Sequence, residues 1–98
     1  MKMVIEGKEY EVSYSLRMYY TYELITNKTF IGGTLLSMSL LFFSALLSKY
    51  NDFQYTFDEF VDILDEDKTL LEKFVKFYMA EMEKINQETD KKKVKKKK

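Results

Sequence analysis

The 98-residue chain is long enough for one small domain, and its 46% apolar content, three glycines and lack of proline favour long helices. It contains no cysteine and no histidine, which excludes disulfides, thiolate catalysis, imidazole acid–base chemistry and Cys/His metal sites. Although the formal net charge is zero, seven lysines lie in the last eight positions, and residues 1–90, at −7, are expected to repel nucleic acid.

The first predicted element is a β-hairpin over residues 3–14, MVIEGKEYEVSY. Val4, Tyr10 and Val12 are residue types that favour strands, and the stretch Glu6-Gly7-Lys8 suits a turn. Charge appears after only three apolar residues, so the N-terminus lacks the apolar run of a signal peptide. A cytoplasmic location is therefore expected.

A helix is predicted from Leu16 to about Thr26, with Ser15 as its N-cap. The polar stretch Asn27-Lys28-Thr29 that follows fits a glycosylation acceptor and the end of a phosphate-binding loop. That loop needs glycine at positions 22 and 27, where this chain has tyrosine and asparagine, and glycosylation needs a secretion signal. We therefore interpret Asn27 as the left-handed residue that ends the helix.

Residues 29–48 form a stretch of twenty without a charge. Its length leaves open an alternative, a small single-pass membrane protein spanning about residues 30–47. The pair Gly32-Gly33 argues against a membrane span, because it divides the stretch and leaves about fourteen residues for a second helix. The large apolar residues of that helix cover an arc of about 200°, twice the usual ~100°. The helix is therefore expected to be central in its domain or shared with a partner.

Two further helices are predicted from capping boxes, in which a Ser or Thr N-cap precedes a Glu by three residues. Thr56 and Glu59 begin the third helix. Thr69 and Glu72 begin a long, amphipathic fourth helix.

The fourth helix is followed by a lysine-rich tail, residues 89–98, which is expected to be disordered. Residues 1–88 are predicted to form a single small domain. Its fold class is mainly α (α+β), with an N-terminal β-hairpin followed by about four helices.

Acidic side chains are the remaining candidates for chemistry. Asp65-Glu66-Asp67 suggests a calcium loop, but the glycine and glutamate of an EF-hand would fall on Leu70 and Lys76. Asp58 and Asp62 offer a carboxylate pair for acid–base work, yet they lie on the predicted surface of the third helix. Without histidine or cysteine, the protein is expected to be no enzyme and to use no cofactor or metal. It is expected to bind another protein.

Three stretches resemble a known family. They are I-x-G-K-x-Y at residues 5–10, YELITNKTF at 22–30 and TFDEFVDILD at 56–65. The chain resembles the small tail assembly chaperones of long-tailed bacteriophages, whose members often carry E-x-x-T-G-K-[ST]-F and [LT]-F-D-E-F. Asn27 stands where the usual form has glycine, and both residues accept positive φ. The likeness covers residues 1–88.

The resemblance implies a non-enzymatic chaperone in the host cytoplasm that is not part of the mature virion. Such proteins coat the tape measure protein and help recruit tail tube proteins around it. The implied partners are therefore these two proteins, with no nucleic acid and no membrane, and a homo-oligomer stays open.

Helix-in-groove contact with the tape measure protein is the mechanism that we expect. The candidate contact residues are Tyr20, Leu36, Leu40, Phe43 and Leu47. The lysine-rich end has two interpretations: a solvated basic arm, or the product of an A-rich message, because the resemblance implies a programmed −1 frameshift near that point.

Overall fold

A two-stranded antiparallel hairpin precedes four helices. A computed structural model describes the backbone of residues 1–97 and the side chains of residues 1–86. The elements in that part of the chain are β1 (Lys2–Ile5), β2 (Lys8–Glu11), α1 (Leu16–Thr26), α2 (Leu35–Lys49), α3 (Phe57–Glu66) and α4 (Lys68–Lys97). The predicted fold class, a mainly helical single domain with an N-terminal hairpin, is confirmed.

The predicted lysine-rich tail, residues 89–98, lies at the end of the chain. Residue 98 lies outside the described residues, and α4 is assigned up to Lys97 without described side chains from residue 87 onward. The domain boundary at residue 88 and the disorder of residues 89–98 therefore stay predictions.

The hairpin turns through two residues with positive φ, Glu6 at 50° and Gly7 at 79°. Ile5 pairs with Lys8 across this turn, which is the register of a two-residue hairpin whose twist matches that of its strands. Gly7 adopts this backbone without steric cost because it has no Cβ.

One face of the hairpin is buried against the helices. Its buried side chains are Met3, Ile5, Tyr10 and Val12. Tyr10 makes edge-to-face contacts with Tyr50 and Phe53 in the α2–α3 connection, with ring centroids 5.1 and 5.4 Å apart. The Glu11 N–H also donates a hydrogen bond to the Tyr50 hydroxyl at 2.9 Å. These contacts attach the hairpin to the helical part of the domain.

The ends of α1 lie where the sequence predicts them. The Ser15 hydroxyl accepts a hydrogen bond from the Met18 N–H at 3.2 Å and caps the helix. Asn27 has φ of 57° and donates its N–H to the Glu23 carbonyl at 2.8 Å. The polar stretch after Thr26 is therefore a helix terminus, and the interpretation of Asn27 is confirmed.

Helix α2 is the central element and contacts α1, α3, α4 and β2. Thr34 caps it by accepting the Ser37 N–H at 3.1 Å. Its second half carries buried residues on every side, including Leu41, Phe42 and Leu46. Buried Ser44 donates its hydroxyl to the Leu40 carbonyl at 2.7 Å, so its polar group is satisfied within the helix. Of the two predicted roles for this helix, the central one is the role it has in the fold.

An aromatic cluster joins α2 to α3 and α4. The Phe42 ring stacks on Phe74 of α4, with centroids 4.6 Å apart and an interplanar angle of 4°. On another side it meets Phe60 of α3 edge-on at 5.1 Å. All three side chains are completely buried, so this cluster is the centre of the core.

The two predicted capping boxes differ in outcome. At α3 the Thr56 hydroxyl accepts the Glu59 N–H, and the Glu59 carboxylate accepts the Thr56 N–H at 2.8 Å, so the box is confirmed. Helix α4 begins at Lys68, so Thr69 is its second residue and is not its N-cap. Instead the Asp67 carboxylate accepts the Thr69 N–H at 3.2 Å. Asp67 therefore ends α3 through its backbone N–H, which donates to the Ile63 carbonyl, and begins α4 through its carboxylate. The predicted box at Thr69 is wrong.

The stacked pair predicts a large effect of Phe42→Ala on stability. Removing a fully buried ring leaves a cavity between α2, α3 and α4, so the free energy of unfolding should fall by about 3–5 kcal/mol. Urea denaturation measures the change. The control Leu24→Ala, at an exposed helix position, should shift it by no more than about 0.5 kcal/mol. Equal effects of the two substitutions would contradict this core.

Candidate protein-binding surfaces

The structure separates the five candidate contact residues. Tyr20 is 57% exposed and Leu36 is 62% exposed, whereas Leu40 and Leu47 are half-buried. Phe43 is 7% exposed and belongs to the core. Tyr20 and Leu36 are therefore the two of the five that present most of their surface to a partner.

Phe43 is buried because α3 and the segment before it cover that side of α2. Its ring contacts Phe53, Phe57 and Phe60, with centroids 6.0, 5.5 and 5.5 Å away. The apolar arc predicted from the helical wheel is thus largely occupied within the domain. Periodicity identified the apolar side chains but did not indicate which of them a neighbouring helix covers.

A strip of exposed apolar residues runs along the outer side of α1. Leu16, Tyr20 and Leu24 are spaced by four residues, so they lie on one helix face. Met18 and Tyr22, on the opposite side, are buried. Leu24 is 83% exposed, and leaving a leucine in water forgoes about 1.5–3 kcal/mol. We call this set of three residues the α1 strip, and exposed apolar side chains on one helix face make it a candidate interaction surface.

A groove lies between the first turn of α2, the outer side of α3 and the first turns of α4. It consists of two cavities, of about 410 and 360 Å³, which share Leu35, Lys68 and Leu71. The remaining lining residues are Ser39, Val61, Leu64 and Asp65 in the first cavity and Glu72, Val75 and Lys76 in the second. We call it the α2–α4 groove. The sequence pattern does not indicate this groove, because residues from three different helices form it.

The acidic residues considered for chemistry lie apart from these cavities or on their rims. Asp58 and Asp62 are both exposed on α3. Among the residues that the structure describes, no group of three His, Cys, Asp or Glu side chains is placed to hold a metal ion. In the same part of the chain, every buried side-chain nitrogen or oxygen has a hydrogen-bond partner.

A cluster of tyrosines fixes α1 against α4. The Tyr19 hydroxyl lies 2.9 Å from that of Tyr14 and donates to that of Tyr78 at 3.2 Å. The Tyr14 hydroxyl also lies 3.2 Å from the sulfur of Met82, and its single proton is donated either to Tyr19 or to that sulfur. Burial, followed by the hydrogen bonds to Tyr14 and Tyr78, raises the pKa of Tyr19 well above its usual range. These contacts position the α1 strip, and they escaped prediction because the partners are far apart in the sequence.

The uncharged stretch that suggested a membrane span is divided in the structure. Residues 27–34 connect α1 to α2, and α2 begins only at Leu35. Within the part of the chain that the structure describes, no helix is both long enough and apolar enough to cross a membrane.

Comparisons with known proteins identify no relative of this chain. Searches of protein-family models, curated proteins and solved structures find no match. The function is therefore inferred from the exposed surfaces described above.

The tyrosine cluster predicts a pH-dependent effect of Tyr19→Phe. At neutral pH the variant loses two hydrogen bonds of about 0.5–1.5 kcal/mol each, so it should be less stable than the wild type. Because the pKa of Tyr19 is raised in the folded state, its contribution to stability is present below about pH 10, the usual tyrosine pKa, and is lost as the pH rises above that value.

Urea denaturation at pH 8 and pH 10.5 checks this prediction. The difference in unfolding free energy between wild type and Tyr19→Phe should shrink at the higher pH. Tyr20→Phe is the matched control, because Tyr20 is exposed, and it should change stability little at either pH. A difference that stays constant with pH would rule out a protonated Tyr19 as its source.

Proposed function

We propose that the protein is a non-enzymatic tail assembly chaperone of a long-tailed bacteriophage. It binds the tape measure protein in the host cytoplasm, helps to recruit tail tube subunits and is absent from the mature virion. The observation that carries this proposal is the α1 strip, an exposed apolar helix face on a chain that has no histidine or cysteine for chemistry.

The shape of the α1 strip suits a helical partner. Helix α1 has eleven residues and is therefore about 16 Å long, which corresponds to three turns. Leu16, Tyr20 and Leu24 form one ridge along it, and ridges of this spacing pack into the grooves of another helix. Tyrosine and leucine bury a large apolar area on contact. A long, apolar, helical tape measure protein provides such partners repeatedly along its length.

Charge next to the strip limits what else can bind there. Arg17 and Glu23 lie on the same outer side of α1, and both are exposed. Lys28 also lies beside Tyr20 and Leu24, so two basic residues and one acidic residue border the strip. A net charge of one gives only a weak attraction for a phosphate backbone or an anionic membrane. Apolar contact is therefore the main source of affinity at this surface.

The proposal predicts a complex that depends on the α1 strip. The full chain, co-expressed with the tape measure protein of the same genome, should co-purify with it. The double variant Tyr20→Ser/Leu24→Ser removes two exposed apolar contacts, so it should weaken binding at least ten-fold, or by about 1.4 kcal/mol. Isothermal titration of the purified proteins measures the dissociation constant.

Val4→Ser is the matched control for this experiment. Val4 is also an exposed apolar residue but lies on the hairpin, so its substitution should leave binding unchanged. Failure of the wild-type proteins to form a complex would refute the proposed function. A double variant that binds as tightly as the wild type would show that contact is made elsewhere.

A further inference from the structure

We infer that the α2–α4 groove is a second docking site, and that its occupant is an amphipathic helix with lysine or arginine along one edge. The helix carries large apolar side chains on the side that enters the groove, and its basic edge faces α3. The inference rests on the proposed function in one respect, since it takes this helix to be a segment of the tape measure protein.

The apolar part of the groove has a helical spacing of its own. Leu71 and Val75 of α4 line it, and exposed Met79 continues the same row at four-residue intervals. From Leu71 to Met79 the row is about 12 Å long, at 1.5 Å per residue. Opposite this row stands Leu35, which is 75% exposed at the start of α2. A partner helix can therefore insert two or three consecutive turns of side chains between them.

The α3 side of the groove is acidic. Asp58 and Asp65 lie three residues before and four residues after Val61, so they flank it on the same helix face. The whole segment from Tyr50 to Asp67 contains seven acidic residues and no basic one. A partner with lysine or arginine at this edge gains attraction, and a partner with an acidic edge is repelled.

The α4 side is closer to neutral. Glu72 and Lys76 form an ion pair of 3.5 Å, and Lys68 lines both cavities, in one beside these two residues and in the other beside Asp65. In residues 1–86 the ion pairs within 4.0 Å join Met1 to Glu11, Lys2 to Glu9, Glu72 to Lys76 and Glu81 to Lys84, and none includes an acid of α3. The unequal charge of the two sides sets the orientation of the occupant, with its basic edge on α3.

The groove and the α1 strip share no residue, because the lining of the groove comes from α2, α3 and α4. Leu35 lines the groove, whereas its neighbour Leu36 lines a cavity on the α1 side together with Tyr22 and Thr26. Consecutive helix residues point about 100° apart, so Leu35 and Leu36 line different cavities. One chaperone can therefore hold two helical segments at once.

Two groove variants and one control test the inference on the full chain. Leu35→Glu places a carboxylate in the apolar groove, while an acid in the first turn of a helix is favourable for folding. Asp58→Lys/Asp65→Lys reverses the charge of the α3 side. Val4→Lys makes a comparable change outside both surfaces. Titration calorimetry against the purified tape measure protein at ~0.15 M salt compares their dissociation constants with that of the wild type.

We expect each groove variant to weaken binding at least ten-fold and Val4→Lys to stay within two-fold of the wild type. Changing the basic edge residues of the tape measure helix to glutamate should restore binding to Asp58→Lys/Asp65→Lys. Wild-type binding with both groove variants unaffected overturns the inference and leaves the proposed function standing. Absence of any wild-type complex overturns both. Self-association of the chaperone alone that Leu35→Glu abolishes identifies a second copy as the occupant, and also overturns the inference.

Discussion

The burial of α2 between its neighbours is the constraint on which the rest of the structure depends. Phe42 stacks on Phe74 and meets Phe60 edge-on, so one side chain ties α2 to both later helices. The hairpin and α1 then cover the remaining sides of α2. Because most of the apolar arc of α2 is covered within the domain, with Leu36 as an exposed exception, the apolar surfaces that remain exposed are those that these neighbours leave uncovered. They are the outer face of α1 and the opening beside the first turn of α2.

The helices and their ends were largely predictable because their signals are local. Ser15, Asn27 and Thr56 act on backbone groups within four residues, and each has the predicted role. Asp67 replaced Thr69 as the cap of α4 because two adjacent helices share one connecting residue. The candidate site was less predictable. Phe43 looked available on a helical wheel, yet α3 covers it, and the groove involves residues that only the packing of three helices brings together.

The two surfaces differ in how they select a partner. The α1 strip is apolar with two basic residues and one acidic residue beside it, so we expect it to discriminate mainly by shape. The groove combines an apolar row with the acidic side of α3, so it also discriminates by charge. The tyrosine cluster around Tyr19 connects α1 to α4 and thereby holds the two surfaces in a fixed relation. In the function that we propose, many copies cover one long helical partner. A fixed distance between the two surfaces would then let each copy bind that partner at a defined spacing.

Hydrogen–deuterium exchange of this protein, with and without the tape measure protein that we propose as its partner, tests the central claim most directly. Amide protons exchange slowly where a partner stabilises a helix or excludes water. The account predicts new protection in α1 and, in the groove, in the first turns of α2 and α4, with little change in the outer strand residues of the hairpin. Protection confined to the hairpin, or none at all in a complex that is shown to form, would contradict it.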